Sequence, residues 1–365
     1  MQIDQYDFGT KKISMIDFLN KAKHQFSKNL PFVIYKKPNE DKVIGYFQKN
    51  NLLFEVVDFK EKGFVFSSFD GSENSLIPES ESDRVVADFE IDTVENAINS
   101  DYLAGDTSSK NNFENLVKLG IDSIVAGAFK KVVLSREEII KLPEFDAVET
   151  FRKVIQNYPS AFCYCWFHPK VGLWIGASPE QLLKIDSQKM STVSLAGTQK
   201  ADGNEDVEWG DKEKNEQQIV TNSIVENLEK ELLNIKISIP YSYQAGSLFH
   251  LKTDIEGELK PNFDLKNMLS KLHPTPAVCG FPKEAARDFI VKTEGYNRSF
   301  YGGFFGEINL NNSSNSFLHV NLRCMQIQNK TAHLYIGCGI TRDSIPEMEW
   351  IETVNKSQTM KKILL

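Results

Sequence analysis

The chain has 365 residues, 42 Lys+Arg against 50 Asp+Glu, a formal charge of −8 and 41% hydrophobic residues. Such a length buries roughly three quarters of its unfolded surface, and ordinary charged and aromatic fractions argue against disorder. The acidic balance argues against nucleic acid, which needs a clustered basic surface, and no stretch approaches the ~18 consecutive apolar residues of a membrane span.

The segment Met1 to Asp7 lacks the basic and then apolar regions of a secretion signal, so a cytoplasmic protein is expected. Residues 1–105 read as short strands, Pro31–Tyr35, Leu52–Val57 and Phe64–Phe66, broken by polar turns. Gly71 to Asp83 reads as a surface loop, and Asp101 to Asn112 as the best boundary. A helix is predicted over Phe113–Phe129, a strand over Lys131–Ser135, and a helix over Ala147–Gln156. A strand pair, Ala161–Phe167 and Gly172–Ile175, leads to a long helix over Lys212–Leu233. Strands over Gly302–Ile308, Phe317–Gln326 and His333–Ile340 precede a terminal helix from Glu347. Strands in runs, with few βαβ alternations, predict the α+β class: antiparallel sheets with helices outside.

Cys163, Cys165, Cys279, Cys324 and Cys338 form no CxxC pair, and each reads as a small buried hydrophobe. On the long helix, the stripe Val220, Ile224, Leu228, Leu232 extends back to Glu216, with Glu213 a turn earlier. Aligned with a buried stripe, these carboxylates need partners, or else they sit in the first turn and favour the positive helix end. On the terminal helix Glu352 shares a face with Met348, Lys356 and Met360, which also fits a surface Glu352–Lys356 pair. Two helices that each aim a carboxylate inward suggest a Mg²⁺ site, because that ion takes oxygen ligands.

Lys131 opens an apolar strand: it is either solvated or a desolvated base. Glu180 follows Ser178-Pro179, where Ser178 with Gln181 fits a capping box and Pro179 a first helical position. Gly197-Thr198 offers backbone N–H groups to an anion, a weak signal by itself. Gly337-Cys338-Gly339 is followed by no GxGxxG, so no nucleotide fold is supported. His273, His319 and His333 lack metal-ligand spacing and read as structural. Arg323, within an apolar strand, should meet a carboxylate of the protein or of a ligand.

The ordered motifs Lys131-Val132-Val133-Leu134-Ser135-Arg136, Gly176-Ala177-Ser178-Pro179-Glu180, Leu195-Ala196-Gly197-Thr198 and Lys212-Glu213-Lys214-Asn215-Glu216 resemble those of chorismate-utilising enzymes. So do Leu272–Pro282, Phe300-Tyr301-Gly302-Gly303, Leu322-Arg323-Cys324, Gly337–Ile340 and Glu349–Lys356. The resemblance runs from about Asn112 to the C-terminus. His273-Pro274-Thr275-Pro276-Ala277 and Gly280-Phe281-Pro282 look most like isochorismate synthases.

The resemblance implies one large α+β domain over residues 1–365, with two stacked antiparallel sheets flanked by helices. Residues 112–362 would be its catalytic part and 1–105 a variable N-terminal part. It implies that Lys131 activates the water attacking C2 of chorismate, and that Glu180 is the general acid on the leaving C4 hydroxyl. Mg²⁺ would be held by Glu216 and Glu352, with Glu213 close, and would neutralise the ring carboxylate. Arg323 and the backbone of Gly197, Thr198 and Gly339 would grip the substrate carboxylates. Tyr301 would lie against the ring, with His273 below it, and Ala277 and Leu322 would line the pocket. Lys356 would stand near the metal-bound carboxylate. Gln217, Ser194 and Cys338 depart from residues common in the family, His, Pro and Ala respectively.

The implied function is isochorismate synthase, a Mg²⁺-dependent isomerase serving menaquinone, siderophore or salicylate formation. Salicylate synthase is the alternative, followed by aminodeoxychorismate synthase and an inactive chorismate-binding protein. Lys131 argues against the ammonia-using anthranilate synthases, which typically carry Gln there. No nucleic-acid or membrane partner is expected, and the protein is expected as a monomer or weak homodimer.

Overall fold

The computed structural model describes residues 10–90, 107–200, 207–245, 248–310 and 315–364. Its strands form two sheets, each a run of neighbouring strands ten and nine long with one further strand beside the second. In the first, the order is Lys11–Lys12, Ser82–Asp88, Lys42–Gln48, Phe32–Lys36, Phe162–His168, Gly172–Ser178, Cys324–Gln328, Thr331–Ile340, Lys131–Lys141, Gly280–Phe281. In the second it is Leu232–Ile237, Leu248–Leu259, Lys189–Lys200, Gln181–Asp186, Asn315–Val320, Phe304–Leu310, Gly63–Ser67, Asn74–Pro78, Phe54–Glu55, with Tyr241–Ala245 beside Leu248–Leu259. Pairing is antiparallel except between Lys11–Lys12 and Ser82–Asp88. Both sheets draw strands from before residue 91 and after residue 130.

The helices are α1 (Met15–Ser27), α2 (Thr107–Val125), α3 (Ala147–Asn157), α4 (Asp211–Leu228), α5 (Leu265–Leu272), α6 (Lys283–Thr293) and α7 (Pro346–Leu364). None is long and apolar enough to cross a membrane. Their apolar stripes cover the outer sheet faces. Phe18 of α1 and Phe151, Val154 and Ile155 of α3 pack with Ile34, Cys165 and Ile175 of the first sheet. Val220, Ile224 and Leu228 of α4 and Met268 and Leu269 of α5 pack with Leu183, Ile255 and Leu318 of the second. Between the sheets lies an aromatic layer of Tyr35, Tyr46, Phe64, Phe66, Tyr164, Trp166, Trp174 and Phe305. Period-2 alternation aims these rings inward from both sheets. All five cysteines are free and buried, as the sequence led us to expect.

The expected α+β class and stacked antiparallel sheets are present, with corrections in detail. The polar stretch from Gly71 holds the strand Asn74–Pro78 and the start of Ser82–Asp88, because Leu76 and Ile77 turn into the core. Of the predicted boundary, residues 101–106 lie outside the described residues, and from Thr107 the chain is helical. Leu52–Val57 yields only the two-residue strand Phe54–Glu55. Ser178 caps no helix: its Oγ donates to Val320 O at 2.5 Å, and Gln181 begins a strand. The predicted strand Phe317–Gln326 is two strands in different sheets, parted at Asn321–Arg323.

Candidate active site

Two chain crossings build the site. The strand Gly172–Ser178 of the first sheet passes through Pro179-Glu180 into Gln181–Asp186 of the second. The strand Asn315–Val320 of the second sheet passes through Asn321-Leu322-Arg323 into Cys324–Gln328 of the first. Each partner strand pairs with its counterpart, so the crossings run side by side. They are tied by Ala177 N–H donating to Arg323 O and Val320 N–H donating to Glu180 O, both at 3.0 Å. Arg323 adopts φ 48°, a left-handed conformation that costs a non-glycine residue about 1 kcal/mol. That backbone turn takes the chain from one sheet to the other, and it brings Glu180 and Arg323 together.

Glu180 is buried, and burial pushes its carboxyl up to about 7 against the pull of Lys131, Arg323 and Lys356. Burial likewise weakens the protonation of Arg323, which Tyr301, Glu352 and Glu180 support. Among the described residues Glu352 and Glu180 act on Arg323 through their charge, with no hydrogen bond to it. Its positive charge therefore remains available to an anionic ligand.

Lys131 is fully buried at the first position of its strand, opposite Phe281. Its Nζ stands 3.0 Å from Glu216 Oε1 but makes no aligned hydrogen bond. Neighbouring Gly339 is held open by need: a Cβ there would lie 2.1 Å from Glu216 Oε1 and 3.1 Å from Lys131 Cε. Gly197, at φ +75°, sits where the register of Lys189–Lys200 shifts. A Cβ on it would lie 3.1 Å from the Glu213 side chain.

The acidic groups are held by lysines. Lys356 bridges Glu352 at 2.6 Å and donates to Gly337 O at 3.1 Å. Lys212 bridges Glu349 at 2.6 Å. Burial raises the Glu349 carboxyl, and the charge of Glu352 adds to it, while Lys212 opposes. Burial acts in the same sense on Glu352, but Lys356, Lys212 and Arg323 overcome it and hold this carboxyl below its ordinary range. Among the described residues no three acidic, histidine or cysteine side chains are already gathered as a metal would hold them. Glu213 folds back toward the start of α4, where a Cβ on Gly210 would lie 2.8 Å from its Oε2. The donor chemistry nonetheless fits a hard cation: Glu349 Oε2 is buried without a hydrogen-bond partner beside the charge of Glu352.

Tyr301 is buried, stacked on Tyr335 with centroids 5.7 Å apart, and a Cβ on Gly337 would lie 2.7 Å from its hydroxyl. Leu322 packs against both the aromatic layer and the second sheet's outer cluster. Ala277 packs against that outer cluster. His273 has its Nε2 3.1 Å from Phe69 O and 3.3 Å from Ser68 O, and its ring lies edge-on to Phe304. Burial pulls it down to about 4, and the charges acting on it are Lys283 and Asp70, not those around Glu180. A second buried histidine, His250, stands beside Thr198. Its Nδ1 lies 3.0 Å from Gly197 O and 3.3 Å from Thr198 Oγ1, and its Nε2 is buried without a partner. Burial, with Arg323 and Lys356, pulls His250 down to about 3. His250 between Phe249 and Leu251, in an otherwise apolar strand start, was the available signal. Glu349 and Lys212 were likewise missed, though both lie within the quoted motifs.

Two of the departures meet each other. Gln217 Nε2 donates to Thr253 Oγ1 at 2.6 Å and Thr221 Oγ1 at 2.9 Å, and lies 3.5 Å from Ser194 Oγ. This buried polar cluster joins α4, next to Glu216, to the strands beneath it.

Residues 72–365 match the chorismate binding enzyme family. The chain belongs to that family. It is 30% identical over 261 residues to the isochorismate synthase EntC of Escherichia coli, covering 69% of this chain and 66% of that protein. It is 31% identical over 272 residues to the salicylate biosynthesis isochorismate synthase of Pseudomonas aeruginosa, covering 71% and 56%. The matched stretch thus spans less than two thirds of each relative's length. The fold resembles the crystal structure of the DhbC protein of Bacillus anthracis, with TM-score 0.78 at 23% identity over 94% of this chain and 99% of that one.

Proposed function

We propose that the protein is an isochorismate synthase, a Mg²⁺-dependent isomerase that interconverts chorismate and isochorismate. The observation carrying this reading is buried Glu180, whose carboxyl burial holds protonated up to about pH 7 although the charge of buried Lys131 acts on it. Lys131 takes a proton from water as its oxygen bonds to C2. Glu180 gives its proton to the C4 hydroxyl, which departs as water when its C–O bond breaks. One water enters and one leaves, so the ring is isomerised without net hydration.

Arg323, hydrogen-bonded to no protein carboxylate among the described residues, pairs with a substrate carboxylate. The bulged backbone at Gly197-Thr198 and the backbone of Gly339 receive it closely. Tyr301 closes the ring's side, and Leu322 and Ala277 supply apolar wall. Mg²⁺ would be held by Glu216 and Glu352, with Glu349 and Glu213 within reach. When bound it supplies positive charge for the ring carboxylate. Lys131, Lys212 and Lys356, which pair with these carboxylates or with Glu349, would yield some of their contacts to the ion.

We further assign residues 1–365 to one catalytic domain, in a cytoplasmic monomer or weak homodimer. Shared sheets on both sides of residues 91–106 and five free cysteines support this assignment. Purified protein with chorismate and Mg²⁺, and without ammonia, is expected to yield isochorismate by chromatography. Salicylate with pyruvate would instead make it a salicylate synthase, and absence of turnover would make it a binding protein.

A further inference from the structure

Beneath the site lies a buried ion pair that the acid/base chemistry does not use. Arg298, with 3% of its side chain exposed, pairs with Glu294, whose side chain is 1% exposed. Taking both charges from water costs several kcal/mol each, and apolar residues of similar volume would serve stability as well. The pair must therefore be explained by what it holds in place.

Its hydrogen bonds define that role. Arg298 Nε donates to Glu294 Oε2 at 2.7 Å, Nη1 to Val278 O at 2.8 Å, and Nη2 to Val133 O at 2.7 Å and also to Glu294 Oε1. Glu294 Oε1 accepts from Ser135 N–H at 2.7 Å and from Ser135 Oγ at 2.9 Å. The guanidinium lies over the rings of Phe69 at 4.5 Å and Tyr301 at 5.7 Å, and Tyr301 N–H donates to Arg298 O at 2.9 Å. One planar group thus fixes the strand carrying Lys131, the segment following Ala277, and Tyr301. Val133 lies two residues from Lys131 and pairs with Gly339, whose open face receives Glu216 and Lys131.

We infer that the Arg298–Glu294 pair is a positioning device that holds Lys131 and Tyr301 in register for the reaction. A lysine keeps the charge but cannot span Val133 O, Val278 O and Glu294 together, because only the guanidinium fork presents fixed donors in those directions. The inference rests on the proposed activity for its kinetic consequence and on geometry alone for its structural one.

The test compares wild type, Arg298→Lys, Glu294→Gln and Phe18→Leu, the last a destabilising control in the distant cluster under α1. A misplacement near 1 Å costs a rate on the order of 100-fold. The expected result is a kcat for isochorismate formation lowered roughly 10- to 100-fold in Arg298→Lys and Glu294→Gln, with KM within about 3-fold. Amide hydrogen exchange should rise at residues 131–136 and 275–281 in both variants, and Phe18→Leu should show neither change. Wild-type kcat and exchange in both pair variants would overturn the inference, as would equal kcat losses in Phe18→Leu. If wild type itself fails to turn over chorismate, the proposed activity fails, while the exchange comparison still decides the positioning claim.

Discussion

The same two sheets meet in two chemically opposite ways. In the middle of the sandwich, Phe66 stacks on Trp166 at 4.8 Å and on Phe300 at 4.5 Å, and Trp174 stacks on Tyr335 at 5.5 Å. Where the chain crosses between the sheets, Glu180, Arg323 and Lys131 come together beside His250, which burial keeps neutral, and Lys131 Nζ is buried without an aligned hydrogen bond. The aromatic layer has orphans too, the indole N–H groups of Trp166 and Trp174, but these are neutral donors. An unmet neutral group costs about 1–3 kcal/mol, whereas a buried charge costs more. The ring layer therefore offsets what the crossing region spends on poised charges. Substitutions should divide accordingly, lowering activity in one region and stability in the other.

Lys131→Ala should lower turnover by about 10³-fold or more, since a positioned base contributes roughly 10²- to 10⁴-fold. Chorismate binding, followed by calorimetry, should persist; wild-type turnover would remove Lys131 from the mechanism. Glu180→Gln should come next, with a loss near 10²- to 10³-fold, and wild-type activity should decline as pH rises through about 7.

That carboxyl also makes a stability prediction. Its folded value, about 7, exceeds its ordinary 4.5, so its contribution is full below about 4.5 and is lost as pH rises through about 7. Glu180→Gln, lacking this titration, should gain up to about 3 kcal/mol over wild type between pH 5 and 8 in urea melts. A pH-independent difference would contradict the burial argument.

Gly339→Ala should lower kcat/KM about 10- to 100-fold, because its Cβ would meet Glu216 Oε1 at 2.1 Å. An unchanged Mg²⁺ requirement and rate would show that Glu216 moves aside freely. The smallest effect on activity belongs to the ring layer. Phe66→Leu should cost about 1–3 kcal/mol of stability and leave kcat within about 2-fold. A large kcat loss there would erase the division between the two regions.

Much of the site was legible in the sequence, because motif order placed Lys131, Glu180, Gly197, Arg323, Gly339 and the carboxylates of α4 and α7. Chain reversals between sheets were not. Phe317–Gln326 reads as one strand because His319, Asn321 and Arg323 alternate with apolar residues, yet the left-handed turn at Arg323 divides it. Likewise Ser178-Pro179 carries local helix-start chemistry, yet pairing with Asn315–Val320 and the bond to Val320 O direct it into a strand. Local signals lose there to tertiary pairing. His250 escaped because a single histidine in a strand declares no partner. Only the fold places it beside Thr198 and within reach of the charges of Arg323 and Lys356.

The claim that Lys131 and Glu180 exchange one water for another has a direct test. Reaction in ¹⁸O-labelled water with Mg²⁺ should yield isochorismate carrying one ¹⁸O in its C2 hydroxyl, by mass spectrometry, and Lys131→Ala should form far less of the same labelled product. Isochorismate formed by wild type without ¹⁸O would mean that the hydroxyl migrates within the ring, and would contradict the account.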